Sequence, residues 1–527
     1  MKAWLAVRSP DASPDRGFAS VRLRRESLPK VGDNTNVLGE LRGDITVPPG
    51  KLLMLSIALP AEGSLDLSWL SQFAPDDLHS LSILSAAPYS PYALPTDKSS
   101  QPKLRPAGDI MPYVMRLTGL RRLSLDGVDL TDKDRDQLAE LKNLEQLPFF
   151  SIDLTRMAPF RNLRTIHQLS NPTDEDLARL VGFPLLEKLR ITGGLGWTLT
   201  DAGLAHLAKL PHLQSLSLQG ERITDACMAQ VARISSLRFL DISDQRITDA
   251  GLAHLAKAPA LEGLNLNNTL VTDDGLAHLK SLRTLKVLNL VTGRPIVIRP
   301  DNRPRITRRA LVHLSQIKSL EYFDLDTDEK DLDYLCKLPN LKSLRAGKSD
   351  AALERISNLT SLEELYTRGP DITDAGVAHL AKLKNLRTLV IVAPLTDQSL
   401  GHLTSLSSLR SLKIMGGSRI SMSGLRQLSK LPNLICLHIY DDLLPDGSAL
   451  DLSGLTALED LMLTTDPKTP FTDRDLATIL KLKNLRRLDL TGEYTAEAKA
   501  RVTRLPSLVS WAGVLLTRPE WNRGFTE

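Results

Sequence analysis

The chain has 527 residues, 66 Lys and Arg against 62 Asp and Glu, a formal net charge of +4 and only 4% aromatic residues. So even a balance provides no field to steer it toward nucleic acid or an anionic membrane, and the length suits one large repetitive body. Its three cysteines, Cys227, Cys336 and Cys436, are far apart and form neither a disulfide framework nor a zinc-ligand spacing, so a reducing compartment, no metal and no cofactor are expected.

The first 50 residues carry no repeat and are expected to cap the first coil. The N-terminus, MKAWLAVRSPDASPDRG, lacks the apolar core of a leader, and the longest apolar stretch, Leu52 to Ala61, is interrupted by Ser56 and Pro60. Both are far from membrane-spanning length, so a cytoplasmic protein without a membrane partner is expected. Residues 51–116 hold two degenerate strands, Leu52-x-x-Leu55-x-Ile57 and Leu78-x-x-Leu81-x-Ile83. A proline-rich loop between Pro88 and Pro112 comes after them.

From 117 to 510 one pattern recurs. Leading leucines of L-x-x-L-x-L stretches fall at 213, 237, 261 and 285, and the commonest step along the chain is 24 residues. The alternation within Leu213, Leu216 and Leu218 is that of a short half-buried strand. Each strand precedes a decapeptide: LTDAGLAHLA from Leu199, ITDAGLAHLA from Ile247, VTDDGLAHLK from Val271 and ITDAGVAHLA from Ile372. Looser copies start at Ile223, Leu395 and Phe471. The threonine is placed to cap a helix whose first turn takes the aspartate, and Leu252, Leu255 and Ala258 make one apolar stripe. Gly251 weakens such a helix by about 1 kcal/mol relative to alanine, so docking onto neighbouring coils must hold it. The coil from Leu285 is overlong. Its surplus, residues 293–309, contains Arg294, Arg299, Arg303 and Arg305, and residues 293–304 of it are expected to project as a dispensable loop. Residues 511–527, from Trp511 through Trp521, leave the repeat and are expected to cap it.

A repeat in this phase resembles the helix-backed leucine-rich-repeat proteins found in bacterial arrays and in the repeat halves of F-box proteins. The resemblance implies an α/β solenoid, or horseshoe, with a concave parallel sheet and short helices on the convex side. It also implies a binding role rather than any particular partner. One departure stands out: the asparagine that ordinarily comes after the strand is replaced by Glu221, Gln245, Thr269 and Pro370. Leu59-Pro-Ala-Glu62 with Pro75-Asp-Asp-Leu78 also resembles the start of an F-box, which would imply a ubiquitin-ligase adaptor. The competing reading makes Leu65 to Phe73 the helix of a degenerate coil.

No P-loop, G-x-S-x-G or H-E-x-x-H motif is present, so no enzyme is expected. His206, His254, His278, His313, His379 and His402 share one helix phase without a second ligand type, which marks a solvated position. The aspartates after threonine are read as helix-capping charge rather than calcium ligands. What remains is the outward face of the strands. Its central position reads Ser217, Asp241, Asn265, Asn289 and Asp324, then Arg345, Tyr366, Val390, Lys413, His438, Met462 and Asp489. Aromatics and arginines dominate binding hot spots, so a protein partner is expected at Tyr322, Arg345, Tyr366, Arg368, His438 and Tyr440. Arg294, Arg299, Arg303 and Arg305 form a secondary basic loop for an acidic partner or nucleic acid, which the lack of interleaved aromatics disfavours.

Overall fold

A computed structural model describes residues 2–8, 52–59, 67–85, 105–125, 128–146, 159–290, 306–324, 329–465, 471–490, 494–502 and 508–515, apart from single positions or pairs inside these ranges, together with Leu154 and Leu505. The chain divides into two compact units, the first essentially residues 1–247 and the second residues 248–256 and 262–517.

In the first unit, strands Leu52–Leu59, Ser80–Ser85 and Arg122–Leu125 run parallel, with Leu55, Leu81 and Leu123 side by side and Ile57, Ile83 and Leu125 beside them. The two degenerate coils thus continue the regular repeat. Lys2–Arg8 pairs antiparallel with Leu52–Leu59 and takes up the backbone groups of that edge. Thr165–Ser170, Lys188–Gly193, Ser215–Gly220 and Phe239–Asp241 form the unit's further parallel strands. Residues 68–72 are a 3-10 turn between two strands, as a coil would place it, while Pro60 to Glu62 of the F-box-like segment lie outside the described residues.

In the second unit, Gly263–Asn265, Val287–Asn289 and Tyr322–Asp324 pair in parallel. Nine further strands run from Ser343–Arg345 to Val514–Leu515, the last pair antiparallel. The register aligns Leu344, Leu365, Leu389, Leu412, Leu437, Leu461 and Leu488 in one row. Every one is at most 4% exposed. A single coil cannot bury its leucines; one row shared by adjacent coils can.

Thr248 caps as expected and Thr200, Thr373 and Thr396 do the same, each accepting the N–H two residues on. Thr224, also expected to cap, makes no side-chain cap bond, and the turn after Thr272 is a 3-10 helix that begins at Gly275 with Asp274 before it. The aspartates do more than place charge at their own helix. Several of them reach out of their own helix to the next coil. Asp249 accepts the Thr272 N–H at 2.8 Å and its hydroxyl at 2.6 Å. Asp350 takes Thr373, Asp374 takes Thr396, Asp397 takes Ser421 and Asp473 takes Thr495 in the same way. The glycine of the decapeptide makes room for that carboxylate. A Cβ on Gly275 would sit 1.9 Å from Asp249 Oδ1, and one on Gly424 1.9 Å from Asp397 Oδ1. Ser399, which replaces glycine in its coil, instead donates its hydroxyl to Asp374.

Burial raises the Asp374 pKa, but hydrogen bonds from Ser399 and Thr396 outweigh it and hold the carboxyl below its ordinary 3.8. A depressed carboxylate stabilises the fold above its unfolded value, and that contribution disappears as pH falls through the folded one. Below pH 3.8, the melting temperature of the parent should therefore fall more steeply with acid than that of Asp374→Asn. Equal slopes in thermal melts followed by circular dichroism would remove this role.

An asparagine ladder does exist, before the strand rather than after it. Asn143, Asn162, Asn340, Asn385, Asn433 and Asn484 each donate to a carbonyl of the preceding coil at 2.9–3.2 Å. After the strand, Gln245 bridges Ser243 O and the Gly220 N–H, and Thr269 bonds Leu266 O. Glu221 lies outside the described residues. The last residues of the 293–309 insertion, beyond the loop expected over 293–304, return to the repeat. Thr307 is the next coil's capping residue and bonds Asp273, while Arg308 pairs with Asp331 at 3.2 Å, so residues 306–309 belong to the repeat. Arg294, Arg299, Arg303 and Arg305 lie outside the described residues.

Candidate functional site

The strands of the second unit place three aligned rows on the solvent face of the sheet. The central row runs Arg345, Tyr366, Val390, Lys413, His438, Met462 and Asp489. One side row runs Ser343, Glu364, Thr388, Ser411, Cys436, Asp460 and Arg487, and the other begins Arg368, Val392 and Met415. Period-two alternation sends these chains outward while the leucines between them go in.

Tyr366 is 37% exposed and Tyr440 43%. The Arg345 guanidinium lies 5.7 Å from the Tyr366 ring centre, and Arg368 is exposed on the same strand as that tyrosine. Tyr322 is half-buried, with the Lys342 ammonium 6.0 Å from its ring centre, and that ammonium also bonds Glu321 at 2.7 Å. Arg345, Tyr366 and Arg368 thus share one patch on adjacent strands. Tyr322 stands on a strand outside the nine-stranded sheet.

The polar outward residues nearer the start of the repeat have local work. Asp241 accepts the Ser243 N–H at 3.0 Å and Asn265 the Asn267 N–H at 3.1 Å. Each fixes a turn containing a residue at positive φ, Asp244 at 61° and Asn268 at 56°. In the first unit Phe239 is 47% exposed at an outward strand position. The expected interface on the later coils does not include it, although its strand phase alone marks it as outward.

His438 departs from expectation. It occupies the central row, yet it is only 5% exposed and cannot itself offer a surface. Its neighbours explain this. Its Nδ1 lies 3.2 Å from the Tyr440 hydroxyl, and the two rings meet edge to face. Its Nε2 lies 3.0 Å from Asp460 Oδ1, and the Cys436 thiol completes a cluster whose donor atoms all lie within 4.8 Å of one another. Burial lowers the imidazole's pKa, but the Asp460 carboxylate and the Cys436 thiol beside it outweigh that and push it up to about 9. Sequence spacing missed this cluster, since Cys436 and Asp460 are one repeat apart and meet only through the strand register.

A thiol, an imidazole and a carboxylate also make up nucleophilic triads. There the base uses one ring nitrogen for the nucleophile and the other for the carboxylate. Here one nitrogen faces Tyr440 and the other Asp460, with the Cys436 thiol also interacting with the ring. The shared helix-phase histidines are half-exposed or exposed. No helix among the described residues is long and apolar enough to cross a membrane.

No family model matches the sequence, and no curated protein does. Among solved structures, the chain is similar to an internalin from Listeria monocytogenes, at 22% identity over 64% of this chain and 88% of that one, with a TM-score of 0.41. It is also similar to a leucine-rich-repeat protein from Leptospira interrogans, at 17% identity over 85% and 93%, with a TM-score of 0.33. A third is the ectodomain of an Arabidopsis thaliana membrane receptor kinase in complex with Casparian strip integrity factor 2, at 17% identity over 86% and 54%, with a TM-score of 0.37. By its 24-residue step and the parallel strand-and-helix coils that this step builds, the chain is a leucine-rich-repeat protein with an α/β solenoid fold.

Proposed function

We propose that this chain is a non-enzymatic interaction scaffold whose protein partner docks on the solvent face of the second unit's sheet, over Arg345, Tyr366 and Arg368, with Tyr322 and Tyr440 at its flanks. The observation that carries the proposal is the exposed Tyr366 ring held against the Arg345 guanidinium on paired strands. An exposed aromatic sacrifices apolar burial without helping the fold, whereas a partner would cover the ring and pair the guanidinium with a carboxylate. Rigid strands hold the patch in place, which lowers the ordering cost of association. His438 serves this reading by positioning Tyr440, not by touching the partner. The same proposal assigns residues 1–50 and 511–527 to caps, supported by the antiparallel strands Lys2–Arg8 and Val514–Leu515.

The test is affinity capture with the parent chain and with Tyr366→Ala and Arg345→Ala, each checked for an unchanged circular dichroism spectrum. A protein retained by the parent should bind each variant more weakly by more than about 1 kcal/mol. Retention by both variants equal to the parent's, with loss on changing Phe239, would place the interface elsewhere.

A further inference from the structure

We infer that Cys436, His438 and Asp460 form a zinc site on the solvent face of the sheet, with three protein ligands and a fourth position for water or a donor brought by a partner. The donor set is one sulfur, one imidazole nitrogen and one carboxylate oxygen, all zinc ligand types, and a thiolate excludes the hard cations magnesium and calcium. The three donor atoms lie within 4.8 Å of one another.

Two of those atoms face each other as an ion pair without hydrogen-bond geometry. His438 Nε2 and Asp460 Oδ1 are buried and 3.0 Å apart, yet their relative orientation makes no hydrogen bond, and neither has another hydrogen-bond partner. Buried polar atoms left in this way are costly, and native proteins rarely keep them without a reason. A cation between them satisfies both at once. Two ligands about 2.0–2.1 Å from one tetrahedral ion stand about 3.3–3.4 Å apart, so the pair has to open by only a few tenths of an ångström to take one.

The surroundings fit the same assignment. The Tyr440 hydroxyl engages Nδ1, which orients the ring and leaves Nε2 to the cluster. Metal-bound histidines ordinarily have such an outer partner on the second nitrogen. All three ligands stand on two paired strands, with Cys436 directly beside Asp460 and His438 two residues along, so the sheet register sets their spacing. The site does not depend on the proposed protein interface, and it survives if that interface lies elsewhere.

The test uses the full chain, stripped of metal with a chelator, titrated with Zn²⁺ by calorimetry and with Co²⁺ by absorption spectroscopy. One equivalent should bind, and cobalt should show thiolate charge transfer together with the ligand-field bands of tetrahedral coordination. Cys436→Ser should abolish the charge transfer, and Asp460→Asn should weaken Zn²⁺ by more than about 100-fold, since even outer partners contribute about 10–100-fold. Tyr440→Phe, which keeps all three ligands, should weaken Zn²⁺ by about 10–100-fold and retain the charge transfer. A double change at Cys227 and Cys336 should alter neither. Absence of a stoichiometric site in the parent, or equal binding by Cys436→Ser, would overturn the assignment in favour of an imidazolium–carboxylate pair. If Cys436→Ser fails to fold, the charge transfer in the parent and the Tyr440→Phe loss decide the question by themselves.

Discussion

Leu365→Ala should destabilise the second unit by about 2–5 kcal/mol, whereas Tyr366→Ala, one residue on, should change stability by less than about 1 kcal/mol. Leu365 is 1% exposed and lies between Leu344 and Leu389 in the shared row, so truncating it opens a cavity that both neighbouring coils line. Tyr366 points the other way, is 37% exposed and loses chiefly its packing with Arg345. A long repeat array need not unfold in one step. Hydrogen exchange across residues 343–392 is therefore the better reporter, with denaturant midpoints beside it. Similar losses for the two variants would mean that the strand faces are inverted, and the proposed interface would fall with them.

Gly376→Ala should destabilise the protein by about 1–3 kcal/mol, although alanine is the better helix former by about 1 kcal/mol. Gly376 lies in helix Asp374–His379 and its backbone is not in the left-handed region, so conformational freedom is not the reason for glycine there. The reason is the neighbouring coil. An added Cβ would stand 2.0 Å from Asp350 Oδ1 and 2.9 Å from Asp350 Cα. To make room the carboxylate must leave Thr373, whose N–H and hydroxyl it accepts at 2.7 and 2.6 Å. In an Asp350→Ala background those bonds are already gone, and most of the penalty should vanish. This double-mutant cycle isolates the coupling between coils. A Gly376→Ala variant more stable than its parent would show that helix propensity outweighs the bond between coils.

Much of the fold was legible because the apolar pattern is periodic and a solenoid turns sequence period directly into spatial repetition. The leucine at the same phase of each coil had to join one row, and Leu344 through Leu488 do so. The candidate interface was legible in part. Phase alone put Arg345, Tyr366 and Arg368 outward, and they are exposed. The same phase put His438 outward, and it is buried, because its exposure depends on Tyr440 and Asp460 beside it rather than on strand alternation.

The amino-acid sequence by itself determined the coil length, the strand phase, the inward leucines and the capping role of Thr248, since each of these arises from local backbone preference and apolar periodicity. Only the tertiary structure decided which coil each aspartate serves, why the decapeptide glycine has no side chain, and that Cys436, His438 and Asp460 meet. Hydrogen bonds and ligand clusters depend on distances of a few ångströms between residues a full repeat apart. Those distances come from the register of stacked strands and the rotamers chosen there, neither of which a linear pattern specifies.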